Sequence, residues 1–183
     1  MSDKTDSFES ARGATKEDVG RLVCIARNHA RSLAGERGAD LLLRRELAFG
    51  RDDLDAHLRQ AIDDKNQLLV VGTIDGIVFG YGHVVFEVLK DGAVLARLEQ
   101  LLVEPEGREV GVGEAMMNFV IAEARRRGSI GIDGRALPGD RETKNFFESF
   151  GLKARQLVVH LSLTDDATPP VDEEAGPTTS TER

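Results

Sequence analysis

The stretch Arg108-Glu109-Val110-Gly111-Val112-Gly113 combines residue types and spacing suited to chemistry. Pro105 closes the strand-like run before it, and a helical pattern carrying Ala115, Met116, Phe119, Val120 and Ala122 follows. Glycines let backbone approach a ligand, and the unpaired amides of a helix's first turn point outward with the positive end of its dipole. The chemistry expected is anion binding, of a polyphosphate for example, through amides more than side-chain charge. A bare strand-to-helix turn is the plainer alternative, because roughly two Gly-x-Gly triplets arise by chance at this glycine frequency. Gly80-Tyr81-Gly82 is read as one of those. The loop lacks the third glycine of a dinucleotide fingerprint, and no Gly-Lys-Ser/Thr phosphate loop occurs. Other reactive residues stand apart. Cys24 and His29 lie in a helical stretch without partners at ligand or nucleophile spacing, and a single cysteine excludes a disulfide framework or multi-cysteine zinc site. His83 and His160, among Val and Leu, read as structural or pocket-lining histidines on strands. No metal site is expected.

These residues need elements to position them. Thr15 reads as an N-cap before an acidic turn, and Val19, Leu22, Val23, Ala26, Ala30 and Leu33 recur at helical spacing up to Gly35. A second helix is expected over 53–63. The period then changes: strands over 68–74, 77–89 and 93–103 are joined by Asp75-Gly76 and Asp91-Gly92, two hairpin signals that make an antiparallel meander. The helix after the glycine loop ends on Arg125, Arg126, Arg127 and Gly128, cations at the negative pole followed by a C′ glycine. A strand over 129–136, a helix over 140–150 and a last strand over 152–163 complete an α+β domain around one mixed, mostly antiparallel sheet flanked by helices.

Length and charge bound what such a domain does. The chain has 183 residues, 40% of them hydrophobic, enough for one core. Residues 164–183, rich in Thr, Pro, Asp and Glu, and residues 1–9 are expected to be disordered tails around a domain spanning 10–163. The net charge of −8 is concentrated in those ends: 165–183 carry −5 and 1–9 carry −2, leaving −1 on the domain. A near-neutral domain without a basic, aromatic-studded stripe is not expected to bind nucleic acid. Apolar runs are too short to span a membrane and the N-terminus has no signal-peptide pattern, so a cytoplasmic protein is expected.

Strand, Arg108-x-x-Gly111-x-Gly113, helix, strand, then Lys144-Asn145-Phe146-Phe147-Glu148-x-x-Gly151-Leu152 resembles the GNAT superfamily of N-acetyltransferases. Arg12-Gly13-Ala14-Thr15-Lys16-Glu17-Asp18 resembles that family's short first strand and helix start, so the likeness spans 10–163. It implies acetyl-CoA as co-substrate, with its diphosphate on the loop Arg108, Glu109, Val110, Gly111, Val112, Gly113 and Glu114. The pantetheine arm would lie along Leu101, Leu102 and Val103, where the third strand splays from the next, and an amide near Leu102 would hold the oxyanion. Asp140, Asn145 and Phe147 fall in the later segment that also meets the cofactor. Asp140 stands where the family often has asparagine, and its position after Pro138-Gly139 reads equally as an N-cap. Val110 replaces a commonly basic residue.

Amine acetylation also needs a route for the ammonium proton, and Glu99, on the third strand before the cofactor segment, is the candidate base. A surface glutamate paired with Arg97 is the competing role. Phe147 occupies the position of the family's sulfur-protonating tyrosine, and the one tyrosine of the chain, Tyr81, lies on another strand. The function expected is transfer of acetyl from acetyl-CoA to a primary amine of a small molecule or peptide. The alternatives are a non-catalytic acyl-CoA-binding or regulatory domain, suggested by Phe147, and an unrelated α+β domain whose loop is a bare turn. The acceptor is assigned to the cleft formed with the connection 34–52, and a homodimer is possible.

Overall fold

A computed structural model of the protein describes residues 9–33, 39, 54–161 and 163. Residues 34–53, apart from residue 39, lie outside the described residues, as do 164–183 and the expected tail 1–9 except Glu9, which is not part of a tail but opens the first strand. The chain divides into a unit Met1–Lys153 and a second unit Ala154–Arg183.

The first unit runs β1 (Glu9–Gly13), α1 (Val19–Ser32), α2 (Leu54–Asp63), β2 (Gln67–Ile74), β3 (Ile77–Val88), β4 (Val94–Val103), a 3₁₀ turn (Pro105–Gly107), α3 (Val112–Arg126), β5 (Ser129–Gly134) and α4 (Arg141–Ser149). The five strands stand in sequence order; β1 to β4 pair antiparallel and β5 lies parallel to β4. This is the mixed, mostly antiparallel sheet that the two Asp-Gly turns imply. At the first, Asp75 and Gly76 both take positive φ, the geometry that favours this dipeptide in two-residue hairpins.

Alternation along the strands builds two apolar layers. Leu69, Val71, Tyr81 and Leu102 meet Val19, Leu22, Ile25 and Ala26 of α1 and Leu54, Leu58 and Ala61 of α2. Val70, Val84, Phe86, Ala96 and Leu98 face the other way, against Val112, Met116, Met117, Val120 and Ala124 of α3 and Phe147 of α4. Neighbouring Leu69, Val70 and Val71 thus divide between two cores, as a period of two requires. Arg21 ties α1 to the sheet, donating from Nε to the Val78 carbonyl at 3.0 Å and pairing with Glu104 just beyond β4.

Two sequence expectations are corrected. Thr15 does not cap α1, which starts at Val19 with Asp18 at the N-cap position. Asp18 is instead held by its neighbours: its carboxylate accepts from Arg12 at 2.7 and 2.8 Å and from the Thr15 amide at 2.8 Å, which closes a turn before the helix. Nor does the segment 152–163 form a strand; 152–161 and 163 have no regular structure, and His160 lies exposed in that segment. A strand exists only when another strand accepts its backbone groups, and among the described residues none does. The end of α3 follows expectation, with Gly128 at φ 72° donating to the Arg125 carbonyl at 3.0 Å. Among the described residues no helix is long and apolar enough to cross a membrane.

Candidate active site at the β4–β5 splay

The site starts from a fault in the sheet. β3 and β4 pair residue for residue except at one point, where His83 opposes Gln100 and the next residue, Val84, opposes Leu98. Glu99 is the extra residue of this β-bulge. Bulges bend a strand and raise its twist, and the partnership of β4 with β5 stops at the same place, Leu98 opposite Gly134. From Glu99 to Val103, β4 therefore has β3 on one side and, among the described residues, no strand on the other. The ring of Phe147 fills the root of this fork: its atoms lie 3.0–3.4 Å from where a Cβ on Gly134 would sit, and the residue is 8% exposed.

Alternation decides which backbone groups line the opening. The Glu104 amide donates to the Phe79 carbonyl at 2.8 Å, so Glu104, Leu102 and Gln100 turn their backbone groups into the β3 ladder. Those of Leu101 and Val103 face the open edge. The Leu102 amide is engaged with β3, and the nearest amide presented to the opening is that of Leu101. Arg108 marks the same edge, donating from Nε to the Val103 carbonyl at 3.1 Å.

Beyond the edge stands the amino end of α3. Its N-cap, Gly111, has φ 93°, a left-handed conformation strained for any residue with a Cβ, and Glu109 before it has φ 60°. This double left-handed turn aims the helix at the opening. The first intrahelical bond is Ala115 N to Gly111 O at 2.9 Å, so the amides of Val112, Gly113 and Glu114 precede the helical ladder. The side chains divide the work: Val112 is fully buried beneath the loop, Val110 is 43% exposed, and Arg108, Glu109 and Glu114 are exposed. Gly113 has a packing reason for its type, since a Cβ there would lie 3.3 Å from the Phe146 ring.

Asp140 caps α4, accepting from the Thr143 amide at 2.9 Å, and Asn145 lies exposed on that helix. Glu99 is clamped between two guanidiniums, accepting from Arg97 Nε at 2.9 Å and pairing with Arg135 across the fork. Tyr81 is fully buried on the α1–α2 face and donates to Gln100 Oε1 at 2.6 Å. His83, at the bulge, is hydrogen-bonded to Gln67 at 2.7 Å and meets the His57 ring edge-on at 6.0 Å. Burial, then the nearby His57, pushes its pKa down to about 4, against an opposing pull from Glu99. It is neutral at pH 7.

Two features were missed in the sequence. His29, treated as a plain helix residue, is half-buried near the loop; burial lowers its pKa first, Arg108 adds to that, and Asp140 opposes it. α1 thus brings an imidazole within electrostatic reach of Arg108 and Asp140, which no local spacing reveals. The bulge at Glu99 was also missed, because a strand with one extra residue looks regular until its partner's register is known. Two cavities of about 330 and 420 Å³ lie elsewhere, sharing Lys65 and Arg127 at the opposite end of the sheet.

No family model and no curated protein matches the sequence. Solved structures do match. An aminoglycoside acetyltransferase from an uncultured soil metagenomic sample, in complex with sisomicin, superposes with a TM-score of 0.66 at 16% identity, covering 86% of this chain and 96% of that one. The fold is that of the GNAT acetyltransferases. AAC(6′)-Iy, in complex with a bisubstrate analogue made of CoA and monomethyl-acetylneamine, gives a TM-score of 0.65 at 14% identity over 85% of this chain and 98% of its own. A transcriptional regulator from Bacillus halodurans C-125 matches equally well, at a TM-score of 0.65 and 21% identity over 84% of this chain and 99% of that one.

Proposed function

We propose that this protein transfers an acetyl group from acetyl-CoA to a primary amine of a small molecule or peptide. The observation that carries this reading is the fork: β4 loses its β5 partner at Leu98, and its open edge leads to the first-turn amides of α3, which precede the helical ladder. A linear ligand with a polyphosphate at one end fits both parts at once. The diphosphate would take the amides of Val112, Gly113 and Glu114, with Arg108 nearby, and the pantetheine amides would replace the missing strand along Leu101, Leu102 and Val103. CoA in the complex of AAC(6′)-Iy, a protein of the same fold, supports the choice of ligand.

The Leu101 amide would donate to the thioester oxygen as the amine attacks the carbonyl carbon and negative charge develops. The C–N bond forms, the intermediate collapses and the C–S bond breaks. The ammonium proton passes through water to Glu99, whose two guanidinium partners must yield as its charge is lost. Water protonates the departing thiolate, because Phe147 has no proton to give and Tyr81 is engaged in the core.

Acetyl-CoA should raise the melting temperature in a concentration-dependent manner. Absence of any shift at concentrations far above micromolar would remove the basis of the reading. A panel of peptides, polyamines, aminoglycosides and amino acids, followed by thiol release, tests transfer itself. Phe147 favours one second reading, a regulatory domain that binds acyl-CoA without turnover, and binding without product across that panel would select it. Glu99→Gln should flatten the acid limb of the pH–rate profile; an unaltered profile would show that another group takes the proton.

A further inference from the structure

We propose that the cavity beside the carboxyl end of α3 binds a small carboxylate with an apolar body, held by Lys65, Arg126 and Arg127 above a floor of Phe86, Val88 and Val94. The cavity is formed wholly by the first unit and lies at the opposite end of β4 from the fork, so the inference is independent of acetyl transfer.

Its floor follows from where the helix stops. α3 ends at Arg126, the chain turns at Gly128, and β5 begins with Ser129 opposite Val94, which sets the end of the helix level with the tip of the β3–β4 hairpin. Phe86 and Val94 belong to the apolar layer under α3, and Val88, paired with Val94 across the hairpin, continues that layer by the period of two. With no further turn of helix above it, Val88 is 68% exposed.

Charge turns this apolar shelf into a selective site. Arg126 and Arg127 both donate to one carboxylate, that of Glu123, from their Nε atoms at 2.8 and 2.7 Å. Arg127 also lies 4.1 Å over the Phe86 ring, which joins the cationic wall to the apolar floor. Lys65 is exposed, and the carboxylate next to it, Asp64, accepts from the Asn66 amide and the Gln67 side chain. Three cations thus stand against the single carboxylate of Glu123, and among the described residues no acid lines the cavity. The neighbouring cavity shares Lys65 and Arg127 but is lined by Asp63 and Asp64 as well, so its charges are matched and it selects no anion.

These features fix the class of ligand. The volume, about 420 Å³, lies in the range of small-molecule sites. A carboxylate makes charge-assisted hydrogen bonds with guanidinium and ammonium groups, and an apolar body takes Val88 and Val94 out of water. An inorganic anion would leave the floor wet, and a neutral hydrocarbon would leave the cations unused.

The test titrates the isotope-labelled full chain with 4-phenylbutanoate and follows its backbone amide resonances. Saturable shifts should cluster at Asn66, Val88, Val94 and Arg126 and persist with acetyl-CoA present. Acetate, which lacks the body, and 4-phenylbutanamide, which lacks the charge, should each bind at least about tenfold more weakly. Lys65→Glu should weaken 4-phenylbutanoate by about tenfold with the rest of the spectrum unchanged, and Val88→Glu, at an exposed floor position, should do the same. Equal affinity for the acid and its amide would overturn the proposal, as would shifts that map to the glycine loop or no saturation up to about 10 mM. Unaltered affinity in both variants would overturn it too. Shifts at these amides from a glutamate-rich peptide alone would assign the face to a protein partner and refute a small-molecule site.

Discussion

The two halves of β4 share one strand and one partner, β3, yet behave oppositely. Over Val94 to Leu98 the strand is paired on both sides, and the neighbouring end of α3 is locked down. There Arg127 lies 4.1 Å over the Phe86 ring, donates to the Lys65 carbonyl and pairs with Glu123 at 2.7 Å. Beyond the bulge at Glu99 the outer side of the same strand is open, with a helix terminus above it. One half spends its backbone groups on the fold, and in the proposed function the other keeps them for acetyl-CoA. The switch between them is local: one extra residue, and an aromatic ring wedged where β5 departs.

Removing that wedge should have the largest effect. Phe147→Ala empties a buried site against Gly134, and large-to-small changes of this kind cost about 3–5 kcal/mol. Urea denaturation should show this loss, and acetyl-CoA should bind more weakly because the two strands can close into the space. The junction can also be loosened with acid. His83 sits at the bulge with its pKa held near 4, below the ordinary 6.5. The unfolded chain therefore takes up a proton that the folded chain resists, so stability is full above pH 6.5 and falls as pH drops towards 4, by about 3 kcal/mol in all. His83→Gln should flatten this slope; an unchanged slope would mean that another group causes it. Gly111→Arg acts at the ligand end, and the Cβ it adds beside Glu9 also strains the loop. A side chain at φ 93° blocks the approach to the helix amides, and acetyl-CoA affinity should fall about a hundredfold, equivalent to ~2.7 kcal/mol, as read by calorimetry.

Much of this contrast could be read from the sequence, for identifiable reasons. The Asp-Gly hairpins, the Arg-Gly end of α3 and the glycine turn before it are local signals, each fixed by a few consecutive residues, and all stand where expected. The N-cap role of Asp140 was equally local. What escaped was long-range. Glu99 is a bulge only because His83 and Val84 set the register across the hairpin, and its guanidinium partner Arg135 is 36 residues away. His29 reaches the loop only through the way α1 crosses the sheet. The last expected strand failed for a related reason: 152–163 has the residue pattern of a strand, but pattern supplies only half of a pairing. Asp18 shows the reverse. Its side chain found closer partners in Arg12 and Thr15 than the cap that propensity assigned to the region.

The smallest expected effect isolates the paired half. Arg127→Ala removes the guanidinium from Phe86, from the Lys65 carbonyl and from Glu123, whose carboxyl Arg126 and Arg127 together hold down to about 2. The residue is partly solvated and Arg126 still pairs with Glu123, so only a fraction of those contacts counts towards stability, about 1 kcal/mol. The melting temperature should fall by a few degrees. The upward shift produced by saturating acetyl-CoA should not change, because the proposed ligand edge lies past the bulge and shares no side chain with Arg127. If the shift shrinks with Arg127→Ala, the halves of β4 are coupled through α3, and the bulge does not separate the part of the strand that holds the fold from the part that holds the ligand.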